Sequence, residues 1–172
     1  MQKSLLGLIG FVSLFCACAF RADPRYGSGS TSWGRVKVDT LQQTPLSPEL
    51  MERFKEEVRR FWQAPYVWGG ASPMGTDCSG LVYIIYQRAA GVRLPRQAAD
   101  LYDQGVPIPS RYLRFSDLVF FSDDGNRRVS HVGLYIDRGF FIHASVSQGV
   151  RLSRLSEPPY KELYVGARRF LN

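Results

Sequence analysis

The chain has 172 residues, 45% of them hydrophobic and 22% charged, which predicts one domain with a sizeable core and excludes a mainly disordered or fibrous protein. A net charge of +7 at neutral pH calls for an anionic partner or a solvated basic surface. Nucleic acid is disfavoured as that partner: the basic residues fall in isolated pairs (Arg59-Arg60, Arg127-Arg128, Arg168-Arg169). No basic stripe and no zinc-finger or RNA-binding motif accompanies them.

The N-terminus has the layout of a secretory signal. Lys3 supplies a positive charge, Ser4 to Phe20 is uncharged and mostly apolar, and small residues follow at Ala17 and Ala19. Two processing sites compete. Ala17-Cys18-Ala19 offers cleavage after Ala19, whereas Phe15-Cys16-Ala17-Cys18 resembles a bacterial lipoprotein signal that would make Cys18 the lipidated first residue. The second is favoured, so residues 1–18 are expected to be a lipoprotein-like signal peptide. The expected location is the envelope of an exporting bacterium, anchored by that lipid, with the outer membrane favoured because Phe20 stands where an aspartate would signal retention; a soluble periplasmic or secreted form is the alternative.

Residues 19–46, rich in Gly, Ser, Pro and charge, read as a flexible tether too short for an added binding module, with a short strand at Val36–Thr40. The globular domain is expected over 47–172. Ser47-Pro48-Glu49 is a helix start: a capping hydroxyl, Pro at the first helical position and an acid facing the dipole. Leu50, Phe54, Val58, Phe61 and Trp62 form one apolar stripe, and Pro65 stops the helix. Trp68 to Gly75 is a Gly-rich loop. A second helix, Cys78 to Ala90, is apolar on most sides and so central, with Gly91 as its cap. A short third helix is expected from Arg96 to Tyr102.

After Pro109 the pattern becomes strands: 118–121, 132–136, 140–144, 149–152 and 163–169, separated by turn signals such as Asp123-Asp124-Gly125-Asn126 and Asp137-Arg138-Gly139. Helices followed by strands imply an α+β fold with N-terminal helices packed on one face of an antiparallel sheet.

Three cysteines occur, and Cys16 and Cys18 lie in the signal, so Cys78 is the lone thiol of the domain. An unpaired thiol in an oxidising compartment suggests a nucleophile, with a buried inert cysteine as the plain alternative. Cys78 opens the central helix, where unpaired backbone N–H groups and the dipole favour a thiolate, and Asp77 can cap that helix. Both histidines of the chain lie in the strands. With Asp137-Arg138-Gly139 as a three-residue turn, Val132, Leu134, Ile136, Phe140, Ile142 and Ala144 share one face. The same register brings His131 and His143 together on the other, with Gly133 leaving room. A two-residue turn would split the apolar set. Three readings of Cys78, His131 and His143 stay open at this point: a nucleophilic triad in which either histidine is the base, a three-ligand zinc site, or ordinary surface histidines on a polar sheet face.

Several segments resemble the NlpC-type family of peptidoglycan peptidases, papain-like cysteine hydrolases. They are Pro65-Tyr66-Val67-Trp68-Gly69-Gly70, Thr76-Asp77-Cys78-Ser79-Gly80-Leu81-Val82, Leu94-Pro95-Arg96-Gln97, Ser116-Asp117-Leu118-Val119-Phe120-Phe121, Ser130-His131-Val132-Gly133-Leu134-Tyr135-Ile136 and Phe141-Ile142-His143-Ala144. They stand in family order across about residues 48 to 170. The resemblance implies a papain-like fold, Cys78 as nucleophile, His131 as base and His143 as the residue orienting it. It implies that the Tyr66 hydroxyl lies beside the thiol, positioning substrate or stabilising an oxyanion. Asp77, Ser79 and Arg96 become candidates for touching substrate. The expected activity is hydrolysis of a peptide-stem amide, chiefly between D-glutamate and a diamino acid, without metal or cofactor and as a monomer. Cleavage of D-Ala–diaminopimelate cross-links is the alternative bond, an N-acetylmuramoyl-alanine amidase the related enzyme, and a catalytically silent wall-binding lipoprotein the alternative of another class.

Overall fold

The computed structural model describes residues 46–123 and 128–171, which all fall in one compact unit. The expected signal segment, Cys18, the tether and the strand at Val36–Thr40 lie outside the described residues. Helix α1, Pro48–Phe61, begins as the sequence dictates: the Leu50 amide donates to Ser47 Oγ at 3.2 Å, and Arg59 and Arg60 occupy the last turn. Its stripe buries Phe54 and Phe61 completely, with Leu50 and Val58 packed alongside. Trp62 departs from the expected stripe; it caps the helix and is 49% exposed. Glu57, buried on the same helix, pairs with Arg60 at 3.2 Å and with Arg88 of the next helix at 3.5 Å.

Helix α2, Cys78–Ala90, is the centre of the core. Leu81, Val82, Ile85, Tyr86 and Ala89 are buried, and the helix ends on Gly91 in the left-handed conformation (φ 70°). Between α1 and α2 the loop forms a two-stranded ribbon, β1 (Ala71–Ser72) and β2 (Gly75–Thr76). The third helix, α3, is Ala98–Gln104, starting two residues later than the pattern suggested, with Gln97 before it in an extended conformation (φ −114°, ψ 138°).

The remaining strands are β3 (Val106–Ile108), β4 (Leu118–Ser122), β5 (Val129–Asp137), β6 (Phe140–Ser145), β7 (Gly149–Arg154) and β8 (Tyr164–Arg169). A one-turn helix α4 (Tyr160–Leu163) precedes β8. The six strands form one antiparallel sheet in the order β3-β8-β4-β5-β6-β7. One face, with Leu118, Phe120, Val132, Leu134, Ile142, Ala144 and Val150, packs under the helices. This is the α+β arrangement that the order of elements implied.

The other face is not the polar sheet face of the surface-histidine reading. Val119, Phe121, Tyr135, Phe141 and Ala167 form a second core beneath Leu113, Leu155, Tyr160, Leu163 and Tyr164. Burial on both sides explains why β4 reads as the unbroken run Leu-Val-Phe-Phe instead of alternating.

The β5–β6 turn also differs. Asp137 pairs with Phe140, so the turn has two residues, Arg138 (φ 49°) and Gly139 (φ 83°), the pair of left-handed residues that matches strand twist. A bulge between Tyr135 and Asp137 then takes up one residue, and Tyr135 faces Phe141 and Leu134 faces Ile142. The expected alignment is thus reached by a shorter turn plus a bulge. Phe140 is the exception to the expected apolar set: it stays outside the core, with the Arg154 guanidinium 4.3 Å over its ring.

Candidate active site

The loop from Pro65 to Asp77 is folded back on itself by backbone bonds: the Thr76 amide donates to the Pro65 carbonyl at 3.1 Å, Val67 to Thr76 at 3.0 Å and Asp77 to Gly70 at 3.2 Å. Asp77 locks this loop to α2. Its Oδ1 accepts from the Gly80 amide at 2.5 Å, satisfying an orphan donor of the first turn, and its Oδ2 accepts from the Gly69 amide at 2.8 Å. Ser79 Oγ lies 2.6 Å from the Arg96 carbonyl and 3.0 Å from Asp77 Oδ1. Arg96 Nη2 donates to the Gly69 carbonyl at 3.2 Å and sits 3.6 Å from Asp77 Oδ2. Its Nη1 is buried against Gly80 without a hydrogen-bond partner among the described residues. A side chain at position 80 would collide with the Gly70 carbonyl and Arg96, so glycine there is what lets the loop close over α2. Asp77, Ser79 and Arg96, read from the sequence as candidates for touching substrate, therefore all have partners inside the protein and form a clasp behind Cys78.

Cys78 is a free, half-buried cysteine on the first turn of α2. Burial pushes its thiol up to about 11 and the Asp77 carboxylate adds to that, against the opposing pull of the Val132, Ser79 and Cys78 backbone N–H groups. The helix start alone was expected to favour a thiolate; desolvation outweighs it. The contact with the Val132 amide places the sulfur against β5 one residue on from His131.

His131 and His143 meet as the alternation required: His131 Nε2 and His143 Nδ1 are 2.9 Å apart, with the rings near perpendicular (87°). His143 is 1% exposed, so it is not an ordinary surface residue. Gly133 makes room, although for Phe141 rather than for an imidazole: a Cβ there would lie 2.6 Å from the Phe141 ring. Burial lowers His131 to about 4, partly offset by Asp123, and lowers His143 to about 3, helped by His131 and Arg151. Both rings are consequently neutral at pH 7.

The zinc alternative does not fit this arrangement. The histidines are spent on each other through Nε2 and Nδ1, and among the described residues no group of three or more His, Cys, Asp or Glu is placed to hold a metal. Tyr66 is half-buried against the helix-side core, and burial raises its hydroxyl to about 12, with Cys78 and Asp77 adding to the shift. The phenol therefore keeps its proton and lies within electrostatic reach of the thiol.

Two neighbours of His143 escaped the sequence reading. Its Nε2 lies 3.0 Å from Ser153 Oγ and 3.1 Å from the Tyr160 hydroxyl. Ser153 was detectable only by extending the β7 alternation one residue past Leu152, where it stands opposite Phe141. Tyr160 follows two prolines and carries no periodic signal; the tertiary fold alone brings it against Phe121, Phe141 and His143, at ring separations of 5.4, 5.0 and 5.1 Å.

Known proteins resemble this chain over the domain described above. Residues 63–169 match the model of the NlpC/P60 family. The chain is 42% identical over 111 residues to murein DD-endopeptidase MepH of Escherichia coli, covering 62% of this chain and 41% of that protein. It is 34% identical over 152 residues to the gamma-D-glutamyl-L-lysine dipeptidyl-peptidase of Bacillus cereus, covering 84% of this chain and 44% of the other. The crystal structure of a lipoprotein-like NLP/P60 family protein of Staphylococcus aureus superposes with a TM-score of 0.66 at 34% identity, over 75% of this chain and 44% of that one. The chain thus spans less than half the length of each of these relatives.

Proposed function

Because this chain belongs to the NlpC/P60 family, we propose that it is a cysteine peptidase hydrolysing amide bonds in the peptide stems of peptidoglycan. The observation that carries the reading is the His131–His143 pair, closed at 2.9 Å on the strand whose Val132 amide meets the Cys78 thiol. In the resting site, thiol and imidazole are both uncharged. Bound substrate presents its carbonyl carbon to Sγ, and His131 accepts the thiol proton as the C–S bond forms. The resulting oxyanion is stabilised by backbone N–H groups at the start of α2 and by the protonated Tyr66 hydroxyl. The His131 imidazolium then gives its proton to the leaving amine as the C–N bond breaks. Water, deprotonated by His131, releases the acyl group and restores the thiol. Asp77, Ser79 and Arg96 keep the loop and the helix start in place during these steps.

The leading bond is that between D-glutamate and the diamino acid, supported by the activity in the name of the B. cereus relative. The D-Ala–diaminopimelate cross-link is the second choice, favoured by the name of the E. coli relative. Purified muropeptides incubated with reduced wild type and with Cys78→Ala decide between them by mass spectrometry. Wild type should release fragments whose masses identify the bond, and Cys78→Ala should lose at least roughly 10⁴-fold in rate. Stems and cross-bridges that wild type leaves intact would end the hydrolase reading. Export and lipidation at Cys18 belong to the same proposal. A mature protein that begins at Phe20 without an acyl group rules the anchor out. Among the described residues no helix is long and apolar enough to cross a membrane.

A further inference from the structure

His143 Nε2 is a single atom with two hydroxyls within 3.1 Å of it, Ser153 Oγ and Tyr160 Oη. A neutral imidazole carries a proton on one ring nitrogen and a lone pair on the other, whereas each hydroxyl offers one proton and two lone pairs. If Nε2 bears the lone pair, either hydroxyl can turn its own proton toward it. If Nε2 bears the proton, both oxygens face it with lone pairs and share the donated bond. The reading of His131 as the base selects the second arrangement. The two oxygens matter because His143 and Ser153 are buried, so an Nε2 proton without an acceptor would be left unpaired.

The consequence runs along the histidine pair. A proton on His143 Nε2 leaves its Nδ1 bare, so the 2.9 Å contact must be filled by a proton on His131 Nε2. Neutral His131 then has a bare Nδ1, the one nitrogen left to take a proton from a thiol. With the opposite tautomer at His143, every proton in the chain moves over by one place, and His131 presents an N–H where a base is needed.

From this geometry we infer that Ser153 and Tyr160 are positioning residues that set the tautomer of the catalytic base through His143. The inference rests on the reading of Cys78 as nucleophile and His131 as base. The other groups that bear on the pair are Arg151, which stands opposite His143 on β7, and Asp123, whose carboxylate acts on His131. Neither contributes a hydrogen bond to the ring nitrogens described above, so neither makes the choice between tautomers.

The chain has two histidines, so ring ¹⁵N NMR of the purified full-length protein near pH 7 shows two imidazoles alone. Wild type should show both protonated at Nε2. The Ser153→Ala/Tyr160→Phe double variant should show His143 redistributed toward the Nδ1–H form. Its kcat on muropeptides should fall by roughly ten- to a hundredfold, with KM within about twofold. Tyr160→Phe keeps the ring packing and Ser153→Thr keeps the hydroxyl. These single variants separate tautomer control from folding, and Ser153→Thr should retain wild-type spectra and turnover. A wild-type His143 protonated at Nδ1 overturns the inference. So does a double variant that keeps both wild-type tautomers and a kcat within about twofold. A wild type with the expected tautomers that cleaves no muropeptide supports the tautomer assignment and removes the hydrolase reading instead.

Discussion

Two clusters of polar groups are buried in this domain, and they solve the cost of burial in opposite ways. Near the start of β4, Asp117 and Arg169 form a bidentate ion pair, Nε to Oδ1 and Nη2 to Oδ2 both at 2.7 Å, with the residues 1% and 3% exposed. The Arg114 amide also donates to Asp117 Oδ2 at 2.9 Å, and Arg169 Nη2 donates to the Tyr112 carbonyl at 3.0 Å. Across the sheet, His131, His143, Ser153 and Tyr160 are joined by contacts of 2.9 to 3.1 Å without any formal charge. The first cluster fixes its charges by pairing them and ties β8 to the loop before β4. The second avoids charge, and its protons can relocate along ring nitrogens. A network of fixed, paired charges and one of neutral groups whose protons can shift differ in this respect, although both are closed by hydrogen bonds.

The ion pair offers the largest test of that contrast. Asp117→Ala leaves the buried Arg169 guanidinium without its carboxylate, and the expected cost is about 3–5 kcal/mol in urea unfolding. The folded fraction should nevertheless keep its kcat within about threefold, because no atom of the pair enters the reaction. A loss of stability below about 1 kcal/mol would mean that the pair does not pin the sheet. A large fall in kcat per folded molecule would mean that the two clusters are coupled.

The histidine cluster should respond to pH instead. His131 and His143 are held near 4 and 3, below the 6.5 of a free imidazole, because burial penalises the charged ring. Between pH 6.5 and about 4 the unfolded chain takes up protons that the folded chain refuses. Stability contributed by the neutral rings is complete above 6.5 and is lost as the pH falls toward the folded values. Each histidine should steepen the loss by up to about 1.4 kcal/mol per pH unit. Urea unfolding of His143→Gln, measured at several pH values across this window, should show a slope smaller by about that amount. An unchanged slope would show that His143 does not enter the folded state uncharged.

Much of this was legible in the sequence. The Ser47-Pro48-Glu49 start, the buried helix behind Cys78 and the α+β order follow from patterns spanning a dozen residues, where local preference and burial agree. The meeting of His131 with His143 was legible for the same reason: alternation leaves a strand only two faces. What escaped depended on contacts between distant segments. A polar second face stayed an open alternative because Tyr135 and Phe141 are interleaved with histidines and glycine, and nothing local reveals that Leu155, Tyr160 and Leu163 cover it. Asp77 could be read as a cap, but its second oxygen bonding Gly69 depends on how the loop folds back. The thiol was expected to be acidified by its helix; how deeply the loop buries it is a tertiary quantity.

The smallest effect concerns the hairpin, where the expected three-residue turn proved to be two residues and a bulge. Gly139 has φ 83°, and its amide donates to the Tyr135 hydroxyl at 3.0 Å while its carbonyl accepts from the Leu155 amide at 2.9 Å. An alanine there meets no neighbouring atom within 4 Å but must adopt a left-handed backbone, so Gly139→Ala should cost about 1 kcal/mol in urea unfolding. The bulge between Tyr135 and Asp137 lies between that turn and the histidines. It absorbs the mismatch between turn length and strand register, so strain in the turn should stop there. The variant is therefore expected to keep the wild-type ring ¹⁵N shifts of both histidines and an unchanged kcat. Altered histidine shifts in a protein that has lost only about 1 kcal/mol would show that the turn, and not the hydrophobic alternation of β5 and β6, aligns the histidine pair.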